Sequence, residues 1–267
     1  MHLQQLTYKQ STIGYYRFGS GPRVAVCFHG YGETAESFAF LAKYAGDQFS
    51  FYAIDLPFHG HTQWREGLHF YPDDLVQIVK AVTNSAPALT VVGFSLGGRM
   101  ALALTEAMPE QVSKLVLLAP DGLKVNFWYW LSTQTWPGNR LFAFTMKHPG
   151  WFFGFLKALN KLRLVNASIF KFVNYYIGDA GIRQLLYNRW TALRTIRPNI
   201  ARIKKTINEN GIHVRLLYGK HDRIILSTVG QRFCRGIQQQ CILRVIPSGH
   251  QVLSEKQVAE ILPALLQ

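Results

Sequence analysis

The sequence predicts an α/β fold, with a mostly parallel sheet of about eight strands flanked by helices and a helical segment inserted late in the chain. Three observations predict it. Short apolar runs rich in β-branched and aromatic residues recur with helical patterns between them, as expected of strands buried on both faces of a parallel sheet. An N-terminal hairpin pattern adds two antiparallel strands at one sheet edge. Between the fourth and fifth parallel runs, from Leu118 to Val214, lies far more chain than a crossover helix requires.

The hairpin is read from Tyr8 and from Ile13 to Phe18, with its turn around Gln10 and Ser11. The parallel runs follow as Val24–Phe28, Phe51–Ile54, Leu89–Val92, Lys114–Leu118, Val214–Tyr218 and Ile242–Ile246. A helical pattern from Gly98 to Glu106 follows the third run, and a closing helix is expected from about Ser254. Inside the insert, Pro137-Gly138, Pro149-Gly150 and Gly178 break the chain into several short helices. Residues 1–120 and 206–267 are therefore expected to form one core and residues 121–205 an inserted helical cap.

Composition limits what such a chain can do. With 48% hydrophobic and 16% charged residues, 267 residues can bury a sizeable core, which excludes general disorder. Met1 to Gly19 shows no uninterrupted apolar h-region, and no stretch reaches the ~20 apolar residues of a membrane span. Three cysteines, Cys27, Cys234 and Cys241, give neither an even framework nor metal-ligand spacing, so buried unpaired thiols in a reducing cytoplasm are expected and no metal is implied. The net charge of +14 is concentrated, because residues 121–205 hold 14 Lys and Arg against the two acids Asp121 and Asp179. That segment is also crowded with aromatic side chains, from Phe127 to Trp190.

Chemistry is carried by residues at the ends of the predicted strands. Gly93-Phe94-Ser95-Leu96-Gly97 follows an apolar strand and precedes a helix. A serine hydroxyl is a poor nucleophile unless it projects from a sharp turn toward a base, and the small residues at 93 and 97 let that turn close. His250, in Pro247-Ser-Gly-His250, lies just past the last strand, where an imidazole can take the Ser95 proton at neutral pH. That imidazole needs a carboxylate to fix its tautomer, and Asp222 follows the penultimate strand in Tyr218-Gly-Lys-His-Asp222. An oxyanion needs preorganised N–H donors. The loop His29-Gly30-Tyr31-Gly32 after the first parallel strand offers the backbone N–H of Tyr31, to act with that of Leu96, while His29, Gly30 and Gly32 shape the loop.

Together these residues resemble the α/β-hydrolase superfamily, over nearly the whole chain outside residues 121–205. The order Ser, Asp, His is that of the superfamily. Asp55-Leu-Pro-Phe-His-Gly60 resembles its Asp-x-Pro-Gly-His-Gly turn, with Phe58 in place of the usual glycine. Asp55, His59 and His61 are read as scaffolding of that turn rather than as a metal site. Asp121 rivals Asp222, because some relatives take their acid from that position. The resemblance implies a cap over the active site, supplied by the insert, and no cofactor.

A serine at the elbow separates this chain from the dehalogenase and epoxide-hydrolase branches, which use a carboxylate there. An esterase or thioesterase acting on a small molecule with an apolar acyl group is expected, since the aromatic insert offers an apolar lining. A carbon-carbon bond hydrolase, an acyltransferase or a lyase could use the same triad. A ligand-binding receptor on the same fold is the alternative of a different class. Nucleic acid is not expected as a partner, because no recognised binding motif accompanies the basic charge. The insert's charge is a solvated face, a field attracting an anionic substrate, or a means of peripheral contact with an anionic membrane.

Overall fold

Every apolar run forms a strand in a computed structural model that describes residues 2–161 and 175–267. The strands are β1 (His2–Tyr8), β2 (Ser11–Phe18), β3 (Arg23–Phe28), β4 (Phe49–Ile54), β5 (Leu89–Phe94), β6 (Val112–Leu118), β7 (His213–Gly219) and β8 (Cys241–Ile246). They make one eight-stranded sheet in the order β1-β2-β4-β3-β5-β6-β7-β8. The first two strands run antiparallel, and all pairings from β4 to β8 are parallel. Strands β4 and β5 are buried along their whole length, as strands covered by helices on both faces must be. The predicted fold is the observed one.

The chain divides into two compact units. The first comprises Met1–Glu66, Phe70–Lys124 and Thr195–Gln267 and contains the whole sheet. Helix α1 (Leu41–Ala45), helix α2 (Pro72–Val82) and helix α3 (Leu96–Ala107) belong to it, and α3 buries Met100, Ala101, Leu102 and Leu104. The second unit comprises Gly67–His69 and Val125–Arg194. Its described residues include helices α4 (Phe127–Gln134), α5 (Trp136–Lys147), α6 (Gly150–Lys161) and α7 (Ala180–Ala192). Residues 162–174 of the predicted insert lie outside the described residues.

The sequence breaks in the second unit sit at helix starts, for a physical reason. Proline is tolerated in a first turn, whose N–H groups have no intrahelical partner, and Pro137 occupies such a place in α5. Side chains supply the missing acceptors. Asn126 accepts the Tyr129 N–H at 3.1 Å, Thr135 the Gly138 N–H at 3.1 Å and Asp179 the Ile182 N–H at 2.8 Å. Inside the unit, Trp190 packs edge-on against Tyr129 at 5.3 Å, and Phe142 lies 5.4 Å from Tyr187.

In the first unit the chain continues through α8 (Ile200–Asn210), capped by Asn199 and ended by Gly211 at φ 62°, and then α9 (Ser227–Cys234) and α10 (Val258–Leu266). Contrary to the expectation of three unpaired thiols, two of the cysteines are joined. Cys234 closes α9 and Cys241 opens β8, and the intervening turn brings their Cα atoms to 5.6 Å, where they form a disulfide. Cys27 is a free, buried thiol whose pKa burial pushes up. Among the described residues no helix is long and apolar enough to cross a membrane.

The hairpin turns one residue earlier than its sequence suggests. Tyr8 pairs with Ser11, leaving Lys9 and Gln10 as a two-residue turn in which Lys9 adopts φ 53°. Its tip is tied down by Asp74 in the first turn of α2. That carboxylate accepts from the Tyr8 hydroxyl at 2.7 Å, the Lys9 ammonium at 2.6 Å and the Tyr71 N–H at 2.9 Å. Burial alone would raise its pKa, but these donors outweigh burial and hold it below the usual carboxylate range. The stability they confer is present above the unfolded pKa and lost as pH falls through the folded one. Asp74→Ala should cost about 1–3 kcal/mol at neutral pH in urea denaturation. The difference from wild type should shrink as pH falls to about 3; a deficit that stays constant would show that the charge contributes nothing.

Candidate active site

The site begins with backbone geometry. Between β5 and α3, Ser95 sits at φ 49° and ψ −116°, a conformation that L-residues avoid and that persists only where the surroundings enforce it. Three glycines make the enforcement possible. A Cβ on Gly93 would lie 2.5 Å from the Gly97 carbonyl oxygen, one on Gly97 would lie 1.9 Å from that of Phe28, and one on Gly98 would lie 2.4 Å from the Pro120 side chain. Strand β6 then clamps the turn, since the Ser95 N–H donates to the Leu118 carbonyl at 3.0 Å and the Asp121 N–H donates to the Ser95 carbonyl at 2.8 Å. The Ser95 side chain is left half-buried at the carboxyl end of the sheet.

Two neighbouring strands deliver its partners. His250 follows β8 and Asp222 follows β7, and the two loops approach closely because Gly219 lacks a Cβ that would sit 2.0 Å from the Gly249 carbonyl oxygen. His250 Nδ1 lies 2.7 Å from Asp222 Oδ2, and its Nε2 lies 2.9 Å from Ser95 Oγ. A carboxylate only accepts, so Nδ1 carries the proton and the Nε2 lone pair faces the serine hydroxyl. The other oxygen of buried Asp222 accepts the N–H groups of Ile224 at 2.7 Å and Ile225 at 3.0 Å, so neither oxygen is stranded. Such a relay can move a proton off Ser95 and stabilise the imidazolium that results.

The rival acid is engaged elsewhere. Asp121 pairs with the Arg99 guanidinium and accepts the Gly122 N–H at 2.7 Å.

The glycine loop is held from below. His29 is fully buried; its Nε2 accepts the Leu56 N–H at 3.1 Å, which leaves Nδ1–H to donate to the Gly30 carbonyl at 2.8 Å. Both ring nitrogens are thereby committed to loop geometry. A Cβ on Gly30 would come within 2.9 Å of the Phe94 ring, so this position favours glycine. Gly32 has φ 76°, half-buried Tyr31 sets its ring edge-on to His59 at 6.0 Å, and Leu96 opens the first turn of α3. Asp55 spends its oxygens on the N–H groups of Ala35 at 2.7 Å and His61 at 2.8 Å, and His59 Nδ1 lies 2.9 Å from the Pro57 carbonyl. Phe58 adopts φ 63°, a left-handed conformation that glycine takes without strain.

Sequence reasoning missed one link. Glu33 accepts the Gly30 N–H at 3.4 Å through one oxygen and the Gln251 side-chain amide at 2.9 Å through the other. It joins the glycine loop to the residue beside His250. No local signal could have found a pair separated by 218 positions.

This sheet, with a glycine-flanked serine elbow after β5, is that of an α/β hydrolase. The chain matches the alpha/beta hydrolase family over residues 25–262 and belongs to it. An esterase of Mycobacterium tuberculosis is 36% identical over 104 residues, 38% of this chain and 33% of that protein. A pimeloyl-[acyl-carrier protein] methyl ester esterase of Vibrio campbellii is 32% identical over 103 residues, 38% of each chain. The chain thus spans between 33% and 38% of the length of these relatives. Among solved structures, the thioesterase domain from the curacin biosynthetic pathway has 18% identity and TM-score 0.63, with 99% of each chain covered. A thermophilic esterase from Thermogutta terrifontis has 18% identity and TM-score 0.68, covering 100% of this chain and 98% of that one. These likenesses are likenesses of fold.

Glycine substitutions test the elbow's packing. Gly97→Ala should destabilise by about 3 kcal/mol or more, because the added carbon meets backbone that cannot yield. Gly154→Ala in α6, with nothing within 4 Å, should be neutral or stabilising by up to about 1 kcal/mol. Thermal or urea unfolding reads both, and equal effects would mean that close packing does not enforce the turn.

Proposed function

We propose that this chain is a serine hydrolase cleaving a carboxylic ester or thioester with an apolar acyl group, through Ser95, His250 and Asp222. The observation that carries the reading is the continuous hydrogen-bonded path from Asp222 through His250 to a serine held in a strained turn. In it Ser95 Oγ attacks the acyl carbon as His250 Nε2 takes the hydroxyl proton, and the backbone N–H groups of Tyr31 and Leu96 stabilise the oxyanion. The imidazolium then gives its proton to the departing alcohol or thiol, leaving Ser95 acylated. A water, deprotonated by the same Nε2, attacks that acyl group and releases the acid, and Ser95 recovers its proton. Asp222 stays ionised throughout, holding the tautomer and the imidazolium charge.

The substrate class rests on several supports. Relatives named as esterases, one of them for a methyl ester, support carboxylic ester chemistry. The basic, aromatic insert, proposed here as a cap domain, favours an apolar acyl chain and an anionic head, because a positive field raises the local concentration of such a ligand. No cofactor enters the reaction.

A panel of acyl esters and acyl thioesters of graded chain length tests the reading. Ser95→Ala and His250→Ala should each lower turnover by several orders of magnitude and leave the fold intact. Asp222→Asn should cost about 10³ to 10⁴ in kcat, far more than Asp121→Asn. The wild type should take a fluorophosphonate label that Ser95→Ala does not. Comparable turnover in Ser95→Ala would refute the nucleophile, and a larger loss in Asp121→Asn would move the acid.

A further inference from the structure

We infer that the second unit carries a docking surface for an anionic lipid membrane. This inference is independent of the roles given to Ser95, His250 and Asp222. A helical unit needs one apolar face to hold itself together, and helices α4 to α6 use Tyr129, Met146 and Leu156 for that. They carry a second set of large apolar side chains pointing to solvent. Trp128 is 69% exposed and Trp136 is 71% exposed, values far from the usual fate of tryptophan. On α5, Trp136, Arg140 and Phe144 recur at four-residue steps and so share one side of the helix. The Phe144 ring reaches Trp151 at the start of α6, 6.5 Å away, and exposed Phe155 lies one turn further on. The result is a stripe of aromatic rings running across two helices.

Charge identifies what covers it. The Arg140 guanidinium lies 4.6 Å from the centre of the Trp136 ring, and Lys147, Lys157 and Lys161 are exposed on the same two helices. The sequence holds no acidic residue from Gly122 to Gly178. An exposed aromatic stripe accompanied by cations only matches the boundary of an anionic bilayer, where tryptophan rings sit at headgroup depth and each Lys or Arg is drawn to the negative surface. No described helix is long and apolar enough to cross the membrane, so the contact is peripheral. A second copy of this surface would bring like charges together, and a neutral protein partner would leave the cations uncompensated.

The test is partitioning of the full chain onto vesicles of phosphatidylcholine alone and of phosphatidylcholine with phosphatidylglycerol, followed by sedimentation and tryptophan fluorescence. Binding should require the anionic lipid. It should weaken steeply between about 10 mM and about 1 M salt, as the screening length falls from about 30 Å to about 3 Å. Trp136→Ser with Phe144→Ser should lower partitioning at least tenfold, and each of Arg140→Gln and Lys147→Gln about fivefold, with the melting temperature and far-ultraviolet spectrum unchanged. Equal binding to neutral and anionic vesicles, or none to either, overturns the inference. Retention of vesicle binding by the aromatic variants alongside loss of turnover on a soluble short ester would place these side chains in the acyl pocket and overturn it too. Capture of soluble polyglutamate without partitioning onto vesicles would make the face a protein-docking one instead.

Discussion

The turn at Ser95 is where the demands of the sheet and of the chemistry meet. An L-residue at φ 49° is strained by about 1–3 kcal/mol, so the rest of the fold has to hold it there. It does so by packing backbone against backbone. Gly93 pairs with Phe28 on one side and Leu117 on the other, which fixes β3, β5 and β6 in register beneath the turn. Gly97 then fits against the Phe28 carbonyl and Gly98 against Pro120 only because neither has a side chain. With β5 fixed, β6, β7 and β8 follow in parallel, and the loops carrying Asp222 and His250 emerge at the same end of the sheet as Ser95. This is the edge of an open α/β sheet at which ligand sites gather.

Electrostatics divides the labour among the acids of this edge, buried Asp55 and Asp222 and half-buried Asp121. Asp55 accepts one backbone amide from the segment after β3, Ala35, and one from the loop after β4, His61; Asp121 is paired with Arg99, and Asp222 faces an imidazole. An unpaired buried carboxylate is expensive, so each has been given its own donors rather than sharing one. The selection of Asp222 as the imidazole's partner follows from which acids are already spent. The same economy governs the histidines. His29 commits one ring nitrogen to Gly30 in its own loop and the other to Leu56 in the turn after β4, whereas His250 commits one to Asp222 and turns the other toward Ser95.

What could be read from the sequence was what depends on local repetition. The parallel strands announce themselves through continuous apolar runs, and observed boundaries lie within two residues of the runs, as when Phe51–Ile54 extends back to Phe49. The elbow was legible because its glycines flank a serine between two periodic segments. Pairings across the fold were not legible. Glu33 with Gln251 and Asp121 with Arg99 depend on sheet order, which apolar runs do not encode. The sequence alone does not pair Cys234 with Cys241, because seven residues of spacing say nothing of the turn that folds them together. The hairpin tip was misplaced by one residue because Lys9, with no glycine or asparagine to advertise it, takes up the left-handed turn.

The second unit presents a different problem, one of composition without instructions for its use. Asp179 is the sole acid from Gly122 to Arg194, and its carboxylate caps α7. The unit therefore has little means of neutralising its own cations. Its internal order comes from ring packing, with Trp190 between Tyr129 and Phe142, and that interaction is indifferent to charge. A solubilising surface could be made from the same lysines and arginines with serine or alanine between them. Placing Trp136 and Phe144 beside Arg140 adds solvent-exposed apolar area that gains nothing in water. That juxtaposition makes physical sense where one surface offers both negative charge and an apolar boundary, which a lipid headgroup layer does and bulk solvent does not.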